Sequence, residues 1–202
     1  MLVLGLALAG CNREDAADAG DAGPIPQEQA AAAAPSPAPA KPAAGVMAEI
    51  PDSGQSRIDG YGPLEFGLTP DEARQAWEGG LAGQGPSQPD GCFILRPQGQ
   101  AAPTDLAFMF ENELLVRYQS SSDAIAAPGG GKVGMSEADL RAQYAGNMAE
   151  APHKYVQGAK TLTVETGGDA TNRVVFETDA AGKVASWRVG IPPQVDYVEG
   201  CG

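Results

Sequence analysis

From about residue 58 onward, apolar positions follow two alternating rhythms. The stretch Gly67–Gly79 aligns without a gap on Gly134–Gly146, at a constant offset of 67 residues. Each stretch opens with a hydroxyl residue, Thr69 or Ser136, followed three positions later by a carboxylate, Glu72 or Asp139. That spacing marks a helix N-terminus, because the hydroxyl and the carboxylate satisfy backbone N–H groups the first turn leaves open. Pro70 suits the first helical position, and each stretch closes at a glycine, Gly79 or Gly146. The period then switches to two, predicting strands over Cys92–Leu95, Leu106–Glu111 and Leu114–Tyr118, and again over Lys160–Glu165, Arg173–Thr178 and Lys183–Val189. Phe110-Glu111 corresponds to Phe176-Glu177, and Tyr118 to Trp187. The predicted class is α+β: a tandem repeat of a short helix followed by a three-stranded antiparallel meander, over residues 58–122 and 129–202, with the two sheets either separate or joined into one concave sheet.

Strict alternation assigns the faces. Phe108, Phe110, Val174 and Phe176 point toward the helices, and Met109, Glu111, Val175 and Glu177 point away. In the last strand Ala185, Trp187 and Val189 fall on the core side, leaving Val184, Ser186 and Arg188 outward. Leu115 and Arg117 match them in the first copy, while Thr161, Thr163 and Glu165 complete the row. The candidate binding face is thus Glu111, Leu115, Arg117, Thr163, Glu177, Ser186 and Arg188, with both arginines expected to be exposed. A plain solvated surface is the competing reading, since one-sided antiparallel sheets ordinarily carry such residues. Tyr118 and Trp187 are expected in the core rather than as ligand platforms.

Residues 12–57 hold few large apolar side chains and cannot bury a core. They read as a disordered acidic tether, with the Pro/Ala run Ala30–Ala44 as an extended spacer. Ahead of it, the first ten residues are apolar but too few for a bilayer span of roughly 20. Leu8-Ala9-Gly10-Cys11 resembles the bacterial lipobox, so residues 1–11 read as a signal peptide with Cys11 as the lipidated residue. No Lys or Arg precedes the apolar run, which points to a translation start placed too late. By the same resemblance, Asn12 after the cysteine implies a lipid-anchored protein on the periplasmic face of the outer membrane. Cys92 and Cys201 are then the remaining thiols, and in an oxidising compartment they are expected to pair; metal ligation is disfavoured because no ligand spacing surrounds them. The formal net charge of −13 argues against nucleic acid as a partner. It also limits membrane contact to the lipid anchor.

Catalytic chemistry is hard to find in this chain. His153 is the single histidine, in the turn-like Ala151-Pro152-His153-Lys154-Tyr155, with no spacing that suggests a Cys-His or Ser-His pair. Gly129-Gly130-Gly131-Lys132 lacks the spacing and the Ser or Thr of a phosphate loop and reads as a flexible joint. Paired acids such as Glu111 and Glu177 do not by themselves indicate a glycosidase in so acidic a chain. No cofactor, metal or enzymatic activity is therefore expected.

Gly-Leu-Thr or Gly-Met-Ser opening a helix, followed by a meander, resembles the small SmpA/OmlA lipoproteins of the outer-membrane β-barrel assembly machinery. Doubled, the unit resembles the β-lactamase inhibitory protein family. The closing stretch Trp187–Cys201 also resembles uncharacterised bacterial envelope lipoproteins, some of which carry the label lectin. These resemblances imply a non-enzymatic binding protein that engages or inhibits an envelope protein. The alternative is a lectin-like module for peptidoglycan or surface polysaccharide, which would require Trp187, Tyr118 and Phe93 to be exposed as stacking platforms.

Overall fold

The computed structural model describes residues 50–86, 91–145, 147–165 and 171–201. The lipidation reading at Cys11 lies outside the described residues, as does the side chain of Glu165. Two helices form where the capping pairs predict them, α1 over Pro70–Ala76 and α2 over Glu137–Gln143. Thr69 Oγ1 accepts from the Glu72 amide at 3.4 Å while a Glu72 carboxylate oxygen accepts from the Thr69 amide at 2.8 Å. Ser136 caps α2 from one side only, its Oγ accepting from the Asp139 amide at 3.2 Å while donating to the Asp139 carboxylate. Helices of seven residues are marginal alone. They persist because Ala73 and Leu140 are buried in the core.

The strands are β1 (Ser56–Arg57), β2 (Gly60–Tyr61), β3 (Leu64–Glu65), β4 (Leu81–Ala82), β5 (Phe93–Pro97), β6 (Ala107–Glu111), β7 (Leu114–Ser120), β8 (Met148–Pro152), β9 (Lys160–Glu165), β10 (Arg173–Thr178) and β11 (Val184–Gly190). The first three form a small sheet, and the other eight form one antiparallel sheet in the order β4-β5-β6-β7-β11-β10-β9-β8. The α+β expectation of tandem helix-and-meander units is therefore corrected. The fold is mostly β, with two short helices set against a three-stranded and an eight-stranded sheet. The extra strands escape a sequence reading for physical reasons. β1 to β4 are two residues long, too short for any period to show. β8, Met-Ala-Glu-Ala-Pro, is composed of weak strand formers and is an exposed edge that ends at Pro152.

Two β-bulges correct the face assignment. Between β6 and β7, Met109 pairs with Arg117 but Phe110 pairs with Leu115, so Val116 is the extra residue. Between β10 and β11, Glu177 pairs with Ser186 but Thr178 with Val184, so Ala185 is extra. Each bulge breaks the alternation by one residue. Leu115 and Val184 therefore turn into the core, and Ala185, expected inside, is exposed.

That core is aromatic. Tyr118 and Trp187 meet edge to face at 5.7 Å between ring centroids, and Phe93 stacks on Phe110 at 5.3 Å. The polar ends of the central pair are satisfied: Tyr118 Oη donates to the Arg57 carbonyl at 2.6 Å, and Trp187 Nε1 donates to the Ile125 carbonyl at 3.3 Å.

Gly129–Lys132, read from sequence as a flexible joint, is packed instead. The Gly131 amide donates to Tyr144 Oη at 3.1 Å, and a Cβ built on buried Gly131 would lie 2.5 Å from Phe176 Cζ and 2.9 Å from Leu140 Cδ1. Gly131→Ala is expected to lower the unfolding free energy by about 1–3 kcal/mol through overpacking. Gly85→Ala, where a Cβ meets open space, should stay within about 0.5 kcal/mol of the parent. Equal urea midpoints for the two variants would show that the turn yields without strain.

Candidate functional site

At the centre of the large sheet, β7 and β11 pair so that Gly190 opposes Arg117 and Arg188 opposes Gln119. Arg117 and Arg188 are thereby diagonal neighbours on the face turned away from the core cluster. A cross-strand row runs through the same face: Ala107, Gln119, Arg188, Val175, Thr163 and Ala149 oppose one another in turn. Beside it, Ser186 opposes Glu177.

The arginines were expected to be exposed, and both are buried, Arg117 at 4% and Arg188 at 3% exposure. The reason lies in the last eleven described residues. Residues 191–201 fold back over this face as a strap containing one 3-10 turn, Gln194–Asp196, with Val195 fully buried. Arg117 Nη1 donates to the Tyr197 carbonyl at 2.6 Å and to the Gln194 carbonyl at 3.3 Å. Arg188 Nε donates to the Val195 carbonyl at 2.6 Å. The Ile191 amide donates to the carbonyl of the bulged Val116 at 3.0 Å, and Arg173 pairs with Asp196 at 3.1 Å. Finally, the Cys92–Cys201 disulfide, expected from sequence, closes the end of the strap.

The seven proposed face residues thus separate into groups. Arg117, Glu177, Ser186 and Arg188 come together around one cleft of about 170 Å³ beside the strap. Glu111 accepts from Gln194 Nε2 and acts as a clamp for the strap. Thr163 lies two strands from Arg188 in the cross-strand row, and Leu115 belongs to the core. Sequence reading missed Thr104, Gln119 and Ser121, which also line the cleft. Gln119 had a usable signal, because it lies two residues beyond Arg117 on the same strand face.

No protein-family profile and no curated protein matches this chain. One solved structure does: an extracellular protein containing an SCP domain from Bacillus anthracis str. Ames, at 8% identity and a TM-score of 0.43, over 70% of this chain and 47% of that one.

Charge in the cleft is unbalanced. Arg188 Nη1 holds Glu177 Oε1 at 2.6 Å, and Ser186 Oγ donates to Glu177 Oε2 at 3.3 Å. Burial pushes the Glu177 carboxyl up, but the charge and hydrogen bond of Arg188, with smaller help from His153 and Ser186, hold it below the usual value. Arg117 makes no ion pair among the described residues, and its Nε is buried without a hydrogen-bond partner. Burial brings its pKa down to about 9, with the charge of Arg188 acting the same way and Glu177 opposing. His153 Nδ1 accepts the amides of Tyr155 and Val156 at 3.1 and 3.2 Å, so its proton sits on Nε2, 3.8 Å from Glu177 Oε2. Ser186 and His153 both address Glu177 and not each other, which is not the order of a nucleophile and its base. Among the described residues, no group of three or more His, Cys, Asp or Glu is placed to hold a metal ion.

Proposed function

We propose that the protein is a lipid-anchored, non-enzymatic binding protein of the cell envelope, engaging another envelope protein at the cleft between the central strands and the C-terminal strap. The observation that carries this reading is the arginine-rich cleft itself: two buried guanidinium groups and one carboxylate bordering open space. Arginine is favoured at protein interfaces because its planar fork makes paired hydrogen bonds, and partly desolvated charge gives selectivity for a complementary partner. The lectin-like alternative has less support, because Trp187, Tyr118 and Phe93 are all buried and offer no platform to a sugar ring.

Site-specific photo-crosslinking in the full, membrane-anchored protein tests the reading. A crosslinker at Ser121, on the rim of the cleft, is expected to yield a discrete protein adduct. One at Asp71, on the exposed side of α1, should not. Equal labelling from both positions, or none from Ser121, would sink the proposal.

A further inference from the structure

We infer that the cleft beside the strap takes a carboxylate group, bound by the side-on edge of Arg117 in the place now held by the amide oxygen of Gln119. The inference rests on the reading of this cleft as a binding site and deepens it by naming the chemistry of the ligand. Arg117 is 96% buried by the 4% exposure of its residue, lines the cleft, and has a buried Nε with no hydrogen-bond partner. Its Nη1 is committed to two strap carbonyls, whereas Nη2 donates to Gln119 Oε1. Nε and Nη2 form the edge of a guanidinium that binds a carboxylate through two parallel N–H···O bonds. On this edge one position carries a neutral amide oxygen and the other carries nothing. Gln119 is half-buried and sits on the rim, so its side chain can give way to a ligand without disturbing the strands.

Charge accounting points the same way. Glu177 neutralises one of the two arginines and the other is left over, an arrangement that buried charges ordinarily avoid by pairing. Of the other charged groups at the strap, Arg173 pairs with Asp196 and Lys154 with Glu199, while the Glu111 carboxylate accepts from Gln194 Nε2 and lies outside the lining of the cleft. A monoanion balances the site, whereas a dianion such as phosphate would overcompensate and meet the fixed carboxylate of Glu177. A planar monocarboxylate therefore fits both the fork and the charge. Its source can be a free small acid, the C-terminus of a peptide, or an acidic side chain of a protein.

The test uses the mature chain in detergent micelles, following the Arg117 Nε–H resonance at constant ionic strength. The probes are sodium acetate, N-acetyl-alanyl-alanine, its C-terminal amide, a C-terminally amidated peptide carrying one internal glutamate, and inorganic phosphate. Saturable shifts with the carboxylates and none with the neutral amide are expected, with phosphate weaker by tenfold or more. Whichever carboxylate binds at least tenfold tighter than the others identifies the source. Gln119→Glu supplies a carboxylate from within the chain. It is expected to raise the thermal midpoint by several degrees and to weaken binding of acetate by more than tenfold, and it does not depend on tolerance of a change at the buried arginine. No saturable shift with any carboxylate, equal response to the neutral amide, or undiminished acetate binding in Gln119→Glu overturns the inference. Should that happen while Ser121 still crosslinks to a protein, the binding reading stands and only the carboxylate assignment falls.

Discussion

Opening the Cys92–Cys201 bridge, by reduction or by Cys92→Ala with Cys201→Ala, is expected to lower the unfolding free energy by about 4–5 kcal/mol. The bridge joins residues 109 positions apart, and on the chain-entropy account a loop near that length restricts the unfolded chain by about this amount. For a domain of this size the thermal midpoint should fall by roughly 10–20 °C. Thermal unfolding with and without reductant measures it directly. The loss has a local side as well. Without the bridge, the strap relies on its hydrogen bonds to Arg117, Arg188 and Glu111, so amides of residues 191–197 should exchange faster than those of β10 and β11. A midpoint unchanged by reductant would mean that the bridge adds nothing to a strap already fixed by the arginines.

The second large effect is expected at the Arg188–Glu177 pair, whose side chains are 4% and 16% exposed. Arg188→Met leaves a largely buried carboxylate without its main counter-charge and should cost about 3–5 kcal/mol at pH 7. Adding Glu177→Met to the same chain should recover a large part of that loss, because removing both charges also removes the desolvation penalty. The Glu177 contribution to the pH dependence should reverse in sign. In the parent protein Glu177 is held below its ordinary value, so its stabilising contribution is complete above the unfolded-chain value of about 4.3 and fades as acidification passes through the lower, folded value. In Arg188→Met, burial dominates and raises the carboxyl instead, so the deficit of that variant relative to the parent shrinks as pH falls from 7 toward 4. Denaturant titrations of both proteins at pH 7 and 4 decide it. Parallel acid losses in the two would show that Glu177 does not feel Arg188 strongly.

Individual elements, though not the fold class, are legible in the sequence where local chemistry decides local structure. β9 and β10 lie over the predicted residues, because β9 alternates Thr with Leu and Val and β10 carries the strand formers Val174, Val175 and Phe176. Thr69 and Ser136 cap their helices as the spacing to Glu72 and Asp139 requires. What stays hidden depends on long-range contacts. A bulge leaves no mark in a single strand, since Val116 and Ala185 are extra only relative to β6 and β10. That is why Leu115 and Val184 are assigned to the wrong face by alternation alone. The strap has no hydrophobic period at all, and its docking is set by carbonyl acceptors meeting two arginines, which any backbone could supply. For the same reason the arginines look like surface residues in the sequence and are buried in the fold. Cys92 and Cys201 pair as expected, and the pairing alone brings the end of the chain back to β5, without indicating which face the intervening residues cross.

The disulfide also makes a closed covalent circuit of the chain from residue 92 to residue 201, and seven of the eight strands of the large sheet, β5 to β11, lie inside it. A single peptide-bond cleavage anywhere on that circuit converts one chain into two that remain joined through sulfur. Severing a surface loop between those strands therefore sheds no fragment, and the nicked domain keeps every sheet partner on the same molecule.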